Sequence, residues 1–200
     1  MIDYLTQWPV EAKTVVKKID FPCVQLEQIH GNKVILVDRS TPSFLEGDAM
    51  ITKEINLPLV IRHADCQVLI AYDPIQHALG IAHAGWRGQS QSIYTALIHA
   101  LQKNFDSNPK DIQAAFSPSL GPTKSEFKNY RAELPEWMWA YEETSFYFNL
   151  WKIAEAELLL CGLLKENISL STICTYLDDR FYSYRRDKTT LRNITFSKLL

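Results

Sequence analysis

The pattern of apolar and polar positions predicts short β-strands through the first half of the chain. Apolar and β-branched runs of strand length alternate there with turn residues, including the Ser-Thr-Pro-Ser segment at 40–43. No long helical stripe occurs in the first sixty residues. The predicted strands are Thr14–Ile19, Cys23–Gln28, Lys33–Val37, Leu59–His63, Gln67–Tyr72 and Ala78–Ala82.

The second half mixes helices with further strands. Apolar residues at helical spacing within 93–101 predict a helix that begins near Gly88 and runs to about Asn104. A second stripe within 151–161 predicts another helix, with Asn149 as its N-cap. Segment 130–148 has no clear pattern. The remaining predictions are strands at Ile112–Phe116, Ile168–Tyr176 and Phe181–Tyr184 and a turn at Asp178-Asp179.

Strands and helices thus mix without strict β-α-β alternation, which favours an α+β layered domain over a doubly wound sheet. With 200 residues, of which 46% are hydrophobic and 22% charged, the chain is expected to form one globular domain over residues 1–200. A net charge of −2 creates no basic field, so we expect neither nucleic acid nor an anionic membrane as partner. No apolar run approaches the ~20 residues of a membrane span.

Cysteine usage and the first residues indicate the cellular compartment. Residues 1–17 lack the basic start and apolar run of a signal peptide. The four cysteines show no close pairing, as expected of reduced thiols in a cytoplasmic protein. They are Cys23, Cys66, Cys161 and Cys174.

Three side chains able to bind a metal lie at the ends of predicted strands: His30 in QIHG, Cys66 in HADC and His83 in AHAGWRG. Separations of 36 and 17 residues provide no local ligand pair such as CxxC or HxxxH. Strand ends nevertheless deliver side chains to a shared rim, where the three residues can converge. Two imidazoles and one thiolate match a zinc site with an open fourth position, which is typical of catalytic zinc.

Other interpretations of these residues stay open. In a purely structural one, Cys66 is a buried small hydrophobe and both histidines are satisfied side chains. A blue-copper site also uses two histidines and a cysteine but needs a weak axial ligand, for which Met50 is the nearby candidate in sequence. Without a metal, Cys66 beside a histidine oriented by Asp65 or Asp48 would be a nucleophile for hydrolysis or deamidation.

Two further segments carry polar chemistry. Backbone N–H groups at the helix start near Gly88 and the Arg87 guanidinium could together meet one anion, with phosphate as the obvious candidate. The alternative is a plain strand-to-helix turn with a solvated arginine. The run FYSYRRDK at 181–188 suits either an aromatic pocket wall with cations or a charged edge strand. No role is assigned to His63, His77 and His99.

Several motifs occur together along the chain: QIHGNKV, GDAMIT, ADCQVLI, GIAHAGWRG, SPSLGP and CTY followed by FYSYRRDKTTLR. Their order and spacing closely resemble the YfiH-like family, also called the polyphenol oxidase (laccase-domain) or purine nucleoside phosphorylase family. The likeness spans about Gln25 to Arg192.

The resemblance implies an α/β/β/α layered sandwich related to the catalytic domain of cytotoxic necrotizing factor, with zinc held by His30, Cys66 and His83. It also implies phosphorolysis of adenosine, inosine and methylthioadenosine, and deamination of adenosine. The expected partners are therefore a purine nucleoside and phosphate, and no oligomeric state is indicated. Arg87 and the helix start suit the phosphate, while an open zinc suits activation of water.

We accordingly predict a cytoplasmic zinc enzyme acting on purine nucleosides, in which Asp65 or Asp48 orients a histidine or moves a proton. The alternatives are copper-dependent phenol oxidation, which older descriptions of the family assign, a Cys-His hydrolase, and a binding protein without catalysis.

The sequence also departs from the family pattern. Residues 1–24 do not match the usual N-terminal loop of paired glycines and a serine, so we expect a shortened N-terminal region. Leu191 stands where a glycine is expected, Gln67 where a proline is common, and Arg62-His63 where smaller residues are expected. The three metal-binding residues are retained, so these departures bear on substrate choice.

Overall fold

The structure, a computed structural model, describes residues 2–3, 10–16 and 20–200. One six-stranded sheet contains β1 (Ile2–Asp3), β2 (Val10–Val15), β3 (Val24–Glu27), β5 (Leu45–Glu46), β7 (Leu59–His63) and β14 (Asn193–Leu199). A second contains β4 (Val34–Leu36), β6 (Ala49–Thr52), β8 (Gln67–Asp73), β9 (Ala78–Ala84), β10 (Gln113–Phe116) and β13 (Ile168–Ser169). A small hairpin joins β11 (Glu142–Thr144) to β12 (Tyr147–Phe148).

Among the described residues, five α-helices accompany these strands: α1 (Trp86–Ser90), α2 (Ile93–Phe105), α3 (Tyr130–Glu133), α4 (Leu150–Leu160) and α5 (Tyr184–Asp187). Short 3₁₀ turns lie at Pro122–Lys124, Glu136–Tyr141 and Lys165–Asn167. In the part of the chain that the structure describes, no helix combines the length and the apolar character needed to cross a bilayer.

The sheet order explains where each strand lies. The first sheet runs β1-β2-β14-β7-β3-β5 and the second β13-β10-β8-β9-β6-β4. The central strands β8 and β9 form a seven-residue antiparallel hairpin. The chain crosses from the first sheet to the second through residues 64–66, between β7 and β8. This crossing places Cys66 at the joint between the two sheets.

Alternating side chains of β8 fill two different apolar layers. Val68 and Ile70 share the layer between the sheets with Leu59 and Ile61 of β7. Leu69 and Ala71 instead join the layer formed with α2 and α4. All seven positions of β8 are therefore buried, as are all seven of β9, because both faces of these strands are covered.

The α+β class is confirmed, as are the central strands and both long helices. Asn149 caps α4 as predicted, its side chain accepting a hydrogen bond from the Lys152 N–H at 2.9 Å. The predicted turn at Asp178 is present, closed by the N–H of Phe181. All four cysteines are free thiols.

The helix predicted to begin near Gly88 is in fact two helices. The first begins at Trp86, and the second begins only at Ile93. The break lies at Ser92, whose backbone is left-handed with φ of 59° and cannot continue a right-handed helix. Gly88 therefore lies within α1 rather than at the start of a long helix.

Three strand predictions need correction. The strand predicted at Thr14–Ile19 runs at Val10–Val15, and 17–19 lies outside the described residues. The predicted strand at Ile168–Tyr176 is limited to Ile168–Ser169 plus an isolated bridge between Cys174 and Ser119.

The segment at Phe181–Tyr184 contains no strand, because Tyr184 begins helix α5. The Ser183 hydroxyl accepts a hydrogen bond from the Arg186 N–H at 3.2 Å, and the Asp65 carboxylate accepts one from the Arg185 N–H at 2.6 Å. These caps stabilise a helical turn in an otherwise β-prone segment.

Candidate metal centre

The structure brings His30, Cys66 and His83 together at the joint between the sheets. Their ligand atoms all lie within 4.8 Å of one another. His30 comes from the loop between β3 and β4, Cys66 from the crossing into β8, and His83 from the end of β9. His30 is exposed, Cys66 is half-buried and His83 is buried. The cluster therefore forms the floor of an open depression rather than a closed core.

Asp48 organises the His30 loop from beneath. Its carboxylate is fully buried. It accepts hydrogen bonds from the backbone N–H groups of Gly31 at 2.7 Å, His30 at 3.0 Å and Ile29 at 3.3 Å. His30 itself adopts a left-handed backbone with φ of 59°, a conformation that costs a residue with a Cβ some energy. The three hydrogen bonds to one carboxylate offset that cost.

The same carboxylate orients His83. The Nδ1 atom of His83 lies 2.9 Å from Asp48 Oδ1, and the backbone N–H of His83 donates to the Asp48 carbonyl at 2.7 Å. A proton on Nδ1 leaves Nε2 as the nitrogen that can bind a metal, the arrangement typical of histidine ligands held by a carboxylate. Asp48 thus fixes both histidines, one through its backbone and one through its ring.

Electrostatics favour charged groups in this cluster. Burial acts to raise the pKa of Cys66, but the neighbouring imidazoles outweigh it and lower the pKa to about 6. Burial acts to lower the pKa of His83, yet Cys66 and Asp48 raise it to about 9. Burial likewise acts to raise the pKa of Asp48, but His83 and the N–H groups lower it overall. Without metal, the cluster is therefore a thiolate beside an imidazolium, with Asp48 ionised.

Gly85 packs directly against the cluster. A Cβ atom at this position would lie 2.9 Å from His30 Cδ2 and 3.2 Å from Cys66 Sγ. The first distance is shorter than real Cβ contacts. Any side chain here would push the ligands apart, so the glycine after β9 permits their convergence.

Asp65, the other acidic candidate, contacts neither histidine through its carboxylate. Its Oδ1 accepts a hydrogen bond from the Thr175 hydroxyl at 2.7 Å, and its Oδ2 accepts one from the Arg185 N–H at 2.6 Å. Its backbone is left-handed, with φ of 82°. Asp65 therefore ties the turn that carries Cys66 to helix α5, while Asp48 makes the contact with His83.

Arg87 lies beside the cluster on α1. Its guanidinium carbon lies 4.1 Å from the ring centre of Trp86, within the range of a cation–π contact. The side chain is exposed. Gly88 is buried, and a Cβ there would lie 3.0 Å from the Gly31 carbonyl oxygen. Gly88 thus allows α1 to approach the His30 loop closely.

Two cavities meet at the cluster. The larger, about 840 Å³, is bordered by Arg62, His63 and Arg192, and the smaller, about 360 Å³, by Trp86 and Arg87. Both are lined by His30, Ala64, Cys66 and Tyr184. A ligand that spans both cavities would pass directly over the three candidate ligands.

The donor set fits a zinc ion. Two imidazole nitrogens and one thiolate are the donors of a catalytic zinc site that keeps one position open. Ligand atoms around a tetrahedral zinc lie about 3.3–3.6 Å apart, given its usual bond lengths. The present limit of 4.8 Å requires only a small contraction to reach that spacing. Cys66 has a depressed pKa, as a thiol in the field of nearby cations does.

Met50, the candidate axial ligand for copper, borders neither of the two cavities. It is fully buried in the apolar layer between the two sheets, among residues such as Ile35 and Ile81. Among the described residues, His30, Cys66 and His83 form the one group of three or more histidine, cysteine or acidic side chains that could hold a metal ion.

Sequence reasoning overlooked several residues that border the cavities. Tyr184 borders both cavities, and its motif predicts either a pocket wall or an edge strand. Arg62 lies in a predicted strand, where the sequence marks it only as a departure from the family pattern. The small size of Gly85 was visible in HAGWRG, yet the contact that requires it joins segments distant in sequence. Only the folded geometry shows such contacts.

With this geometry defined, comparisons identify the class of protein. The sequence model of the family described as "Multi-copper polyphenol oxidoreductase laccase" matches residues 10–199. The fold matches the YfiH protein of Bacillus licheniformis with a TM-score of 0.81 at 26% identity, over 88% of this chain and 74% of that one. It matches YlmD of Geobacillus stearothermophilus with a TM-score of 0.79 at 28% identity, over 88% of this chain and 73% of that one.

Curated relatives carry an enzyme's name. The purine nucleoside phosphorylase of Aquifex aeolicus is 33% identical over 84% of this chain and 78% of its own length. Those of Bacteroides thetaiotaomicron and Bacillus subtilis are 31% and 32% identical over 70% of this chain. The chain spans 55% and 54% of the length of these last two. The protein is thus an α+β protein with a His-Cys-His cluster at a sheet joint, and it belongs to the YfiH-like family.

Proposed function

We propose that this protein is a cytoplasmic, zinc-dependent purine nucleoside phosphorylase that acts on adenosine, inosine and methylthioadenosine and also deaminates adenosine. The observation that carries the proposal is the convergence of His30, Cys66 and His83 between two cavities. The names of the relatives supply the substrate class. The free cysteines accord with a reducing compartment.

His30, Cys66 and His83 would hold the zinc, and Asp48 would fix the two histidines. Zinc bound there would supply a Lewis acid with one open position beside the substrate. Asp48 keeps the Nδ1 proton of His83 in place, so Nε2 stays available. Asp65 is proposed as a positioning residue. Its carboxylate binds the start of α5 and so holds Tyr184 beside the site.

Phosphorolysis requires a phosphate oxygen to attack C1′ of the sugar while the C1′–N9 bond breaks. The electron pair leaves with the purine, which then takes up a proton. Arg87 borders the smaller cavity and is proposed as the phosphate contact, with the adjacent backbone at Gly88. Its contact with the Trp86 ring limits the motion of the side chain and so pre-orients the guanidinium.

The decisive experiment combines metal analysis with two assays. Protein purified without added metal is analysed for zinc and copper and then incubated with adenosine, with and without phosphate. Ribose 1-phosphate and adenine formed only with phosphate support phosphorolysis, and inosine formed in either condition supports deamination. Absence of both products from zinc-loaded protein contradicts the proposal.

Copper-dependent phenol oxidation is the second candidate, favoured by the description of the family and by the two-histidine, one-cysteine donor set. It predicts dye oxidation that depends on copper and is independent of phosphate. The same zinc-loaded and copper-loaded preparations therefore separate the two functions.

A further inference from the structure

The larger cavity carries a pair of arginines on one side. Arg62 and Arg192 both border it. In the pairing of β7 with β14, Asn193 lies opposite His63 and Ile194 opposite Arg62. Arg192 immediately precedes β14, and continuation of the same register places it opposite Ala64. Because side chains alternate along strands, positions 62 and 192 fall on the same face of the sheet.

Among the described residues, no carboxylate forms an ion pair with either guanidinium. Arg192 Nη1 donates to the backbone carbonyls of Thr189 at 2.9 Å and Leu191 at 2.8 Å. These contacts fix the group while leaving its charge unbalanced. Three arginines elsewhere in the described residues, Arg39, Arg180 and Arg186, each contact an acid at 3.2 Å or less.

The backbone of Arg62 is also fixed. The Gln28 amide accepts a hydrogen bond from the Arg62 N–H at 2.9 Å and donates one to the Arg62 carbonyl at 2.8 Å. These two hydrogen bonds hold the end of β7 in place, and the Arg62 side chain borders the cavity. Within the described lining of this cavity Glu27 is the one acidic residue, and it is exposed. The arginine side of the cavity is therefore positively charged.

We propose that Arg62 and Arg192 form a phosphoryl-binding subsite in the larger cavity, separate from Arg87 in the smaller one. Two guanidinium groups with free N–H donors suit the oxygen atoms of a phosphoryl group, which they bind through charge-assisted hydrogen bonds. A nucleoside that lies over the cluster would extend a 5′-phosphate toward this subsite. The nucleoside part of this ligand rests on the proposed function, whereas recognition of the phosphoryl group rests on the two arginines alone. The substrate class is then nucleoside 5′-monophosphates as well as nucleosides.

Calorimetric titration of the zinc-loaded protein tests the subsite without relying on turnover. AMP, adenosine and inorganic phosphate are titrated into wild-type protein, Arg62→Gln, Arg192→Gln and Arg87→Gln. Lys103→Gln removes a positive charge from the exposed part of α2 and serves as the control for net charge. We expect AMP to bind at least 10-fold more tightly than adenosine to the wild type, in line with one or more charge-assisted hydrogen bonds.

The affinity for AMP divided by that for adenosine should fall to about one in Arg62→Gln and Arg192→Gln. In Arg87→Gln and Lys103→Gln this ratio should stay at its wild-type value. Competition of inorganic phosphate with AMP that is lost in Arg62→Gln and Arg192→Gln would identify free phosphate as a source of the phosphoryl group bound at these two arginines. Equal affinities for AMP and adenosine, with inorganic phosphate binding unchanged in Arg62→Gln and Arg192→Gln, would overturn the subsite. Phosphate binding at the arginines without any binding of adenosine or AMP would instead contradict the proposed nucleoside function.

Discussion

Asp48 is the residue on which most of the site geometry depends. One buried carboxylate accepts hydrogen bonds from the backbone of the His30 loop and from the ring of His83. Cys66 is placed separately, by the crossing between the sheets. The three candidate ligands are therefore held by two separate parts of the structure, and a change in either should alter the metal site.

Replacement of Cys66 by alanine should lower zinc occupancy and activity together. A methyl group cannot act as a ligand, and two imidazoles alone form a poor zinc site. Cys23→Ala is the matched control, because it removes a half-buried thiol outside the cluster. Zinc content is measured by elemental analysis beside the phosphorolysis assay. Full zinc and normal turnover in Cys66→Ala would contradict the ligand assignment.

In metal-free protein, alkylation of Cys66 should follow the pKa of about 6. The thiolate is the reactive form, so the rate rises as pH increases through 6 and levels off about one pH unit higher. Burial raises the pKa of Cys23 and of Cys161, so these thiols react only at more alkaline pH. Mass spectrometry after brief iodoacetamide treatment resolves each cysteine. A midpoint for Cys66 near its usual value of 9.0 would exclude the proposed charge arrangement.

Replacement of Arg87 by alanine should weaken phosphorolysis selectively. Loss of a charge-assisted contact costs about 1.5–3 kcal/mol, which corresponds to roughly a 10- to 150-fold loss. Deamination consumes no phosphate and should fall far less. Both activities are measured across a phosphate titration. Equal losses with unchanged apparent phosphate affinity would show that Arg87 supports the fold or the purine, and would direct attention to Arg185, Arg186 or Arg192.

At the scale of elements, the strands with strong apolar runs were predictable and the polar ones were not. β8 and β9 are buried on both faces, so their sequences are almost continuously apolar. The apolar pattern does not predict strand β14, because its inward positions include Thr195 and Ser197, both fully buried. Thr195 is satisfied by His63 at 2.9 Å and Thr14 at 2.6 Å, partners that no local pattern discloses. Strand β6, Ala49–Thr52, was likewise visible only as a motif.

The sequence predicts the candidate metal ligands, but it does not predict which residues hold those ligands in place. His30, Cys66 and His83 stand out by residue type and by their place at strand ends. The choice between Asp48 and Asp65 depends on how the turns before β6 and β8 direct the two carboxylates, and the sequence leaves both open. The structure shows Asp48 on His83 and Asp65 on α5.

The β9–α1 junction provides a prediction at this scale. Gly85→Ala should reduce zinc affinity, because the added Cβ would lie 2.9 Å from His30 Cδ2 and 3.2 Å from Cys66 Sγ. Gly31→Ala is the matched control, since its nearest contacts would lie at an ordinary 3.7 Å. Chelator competition measures zinc affinity in both variants. We expect about a 10- to 100-fold loss in Gly85→Ala, comparable to the loss of a group that orients a ligand. Equal affinities in the two variants would contradict the close-packing argument.

At the scale of the whole molecule, the three ligands tie together segments from both sheets. A metal that binds only the folded state adds stability according to its concentration relative to its dissociation constant. At 100 times that constant the gain is about 2.7 kcal/mol. For a chain of this size, about 2–4 °C per kcal/mol gives a rise in melting temperature of roughly 5–11 °C.

Thermal denaturation with zinc and with a chelator measures this gain. The wild type should melt at a higher temperature with zinc, and Cys66→Ala should show little change. A zinc-dependent shift of the same size in Cys66→Ala would mean that the stabilising ion binds elsewhere.

The position of β14 has a consequence for synthesis of the protein. This strand lies between β2 and β7 in the first sheet, and Thr195 contacts His63 across 132 positions of sequence. At about 5–20 residues per second, a ribosome needs roughly 7–26 seconds to advance from one to the other. During that interval the β7 edge that will bind β14 has no native partner, and an unpaired edge favours aggregation. The nascent chain should therefore depend on chaperones most strongly in the period before β14 leaves the ribosome.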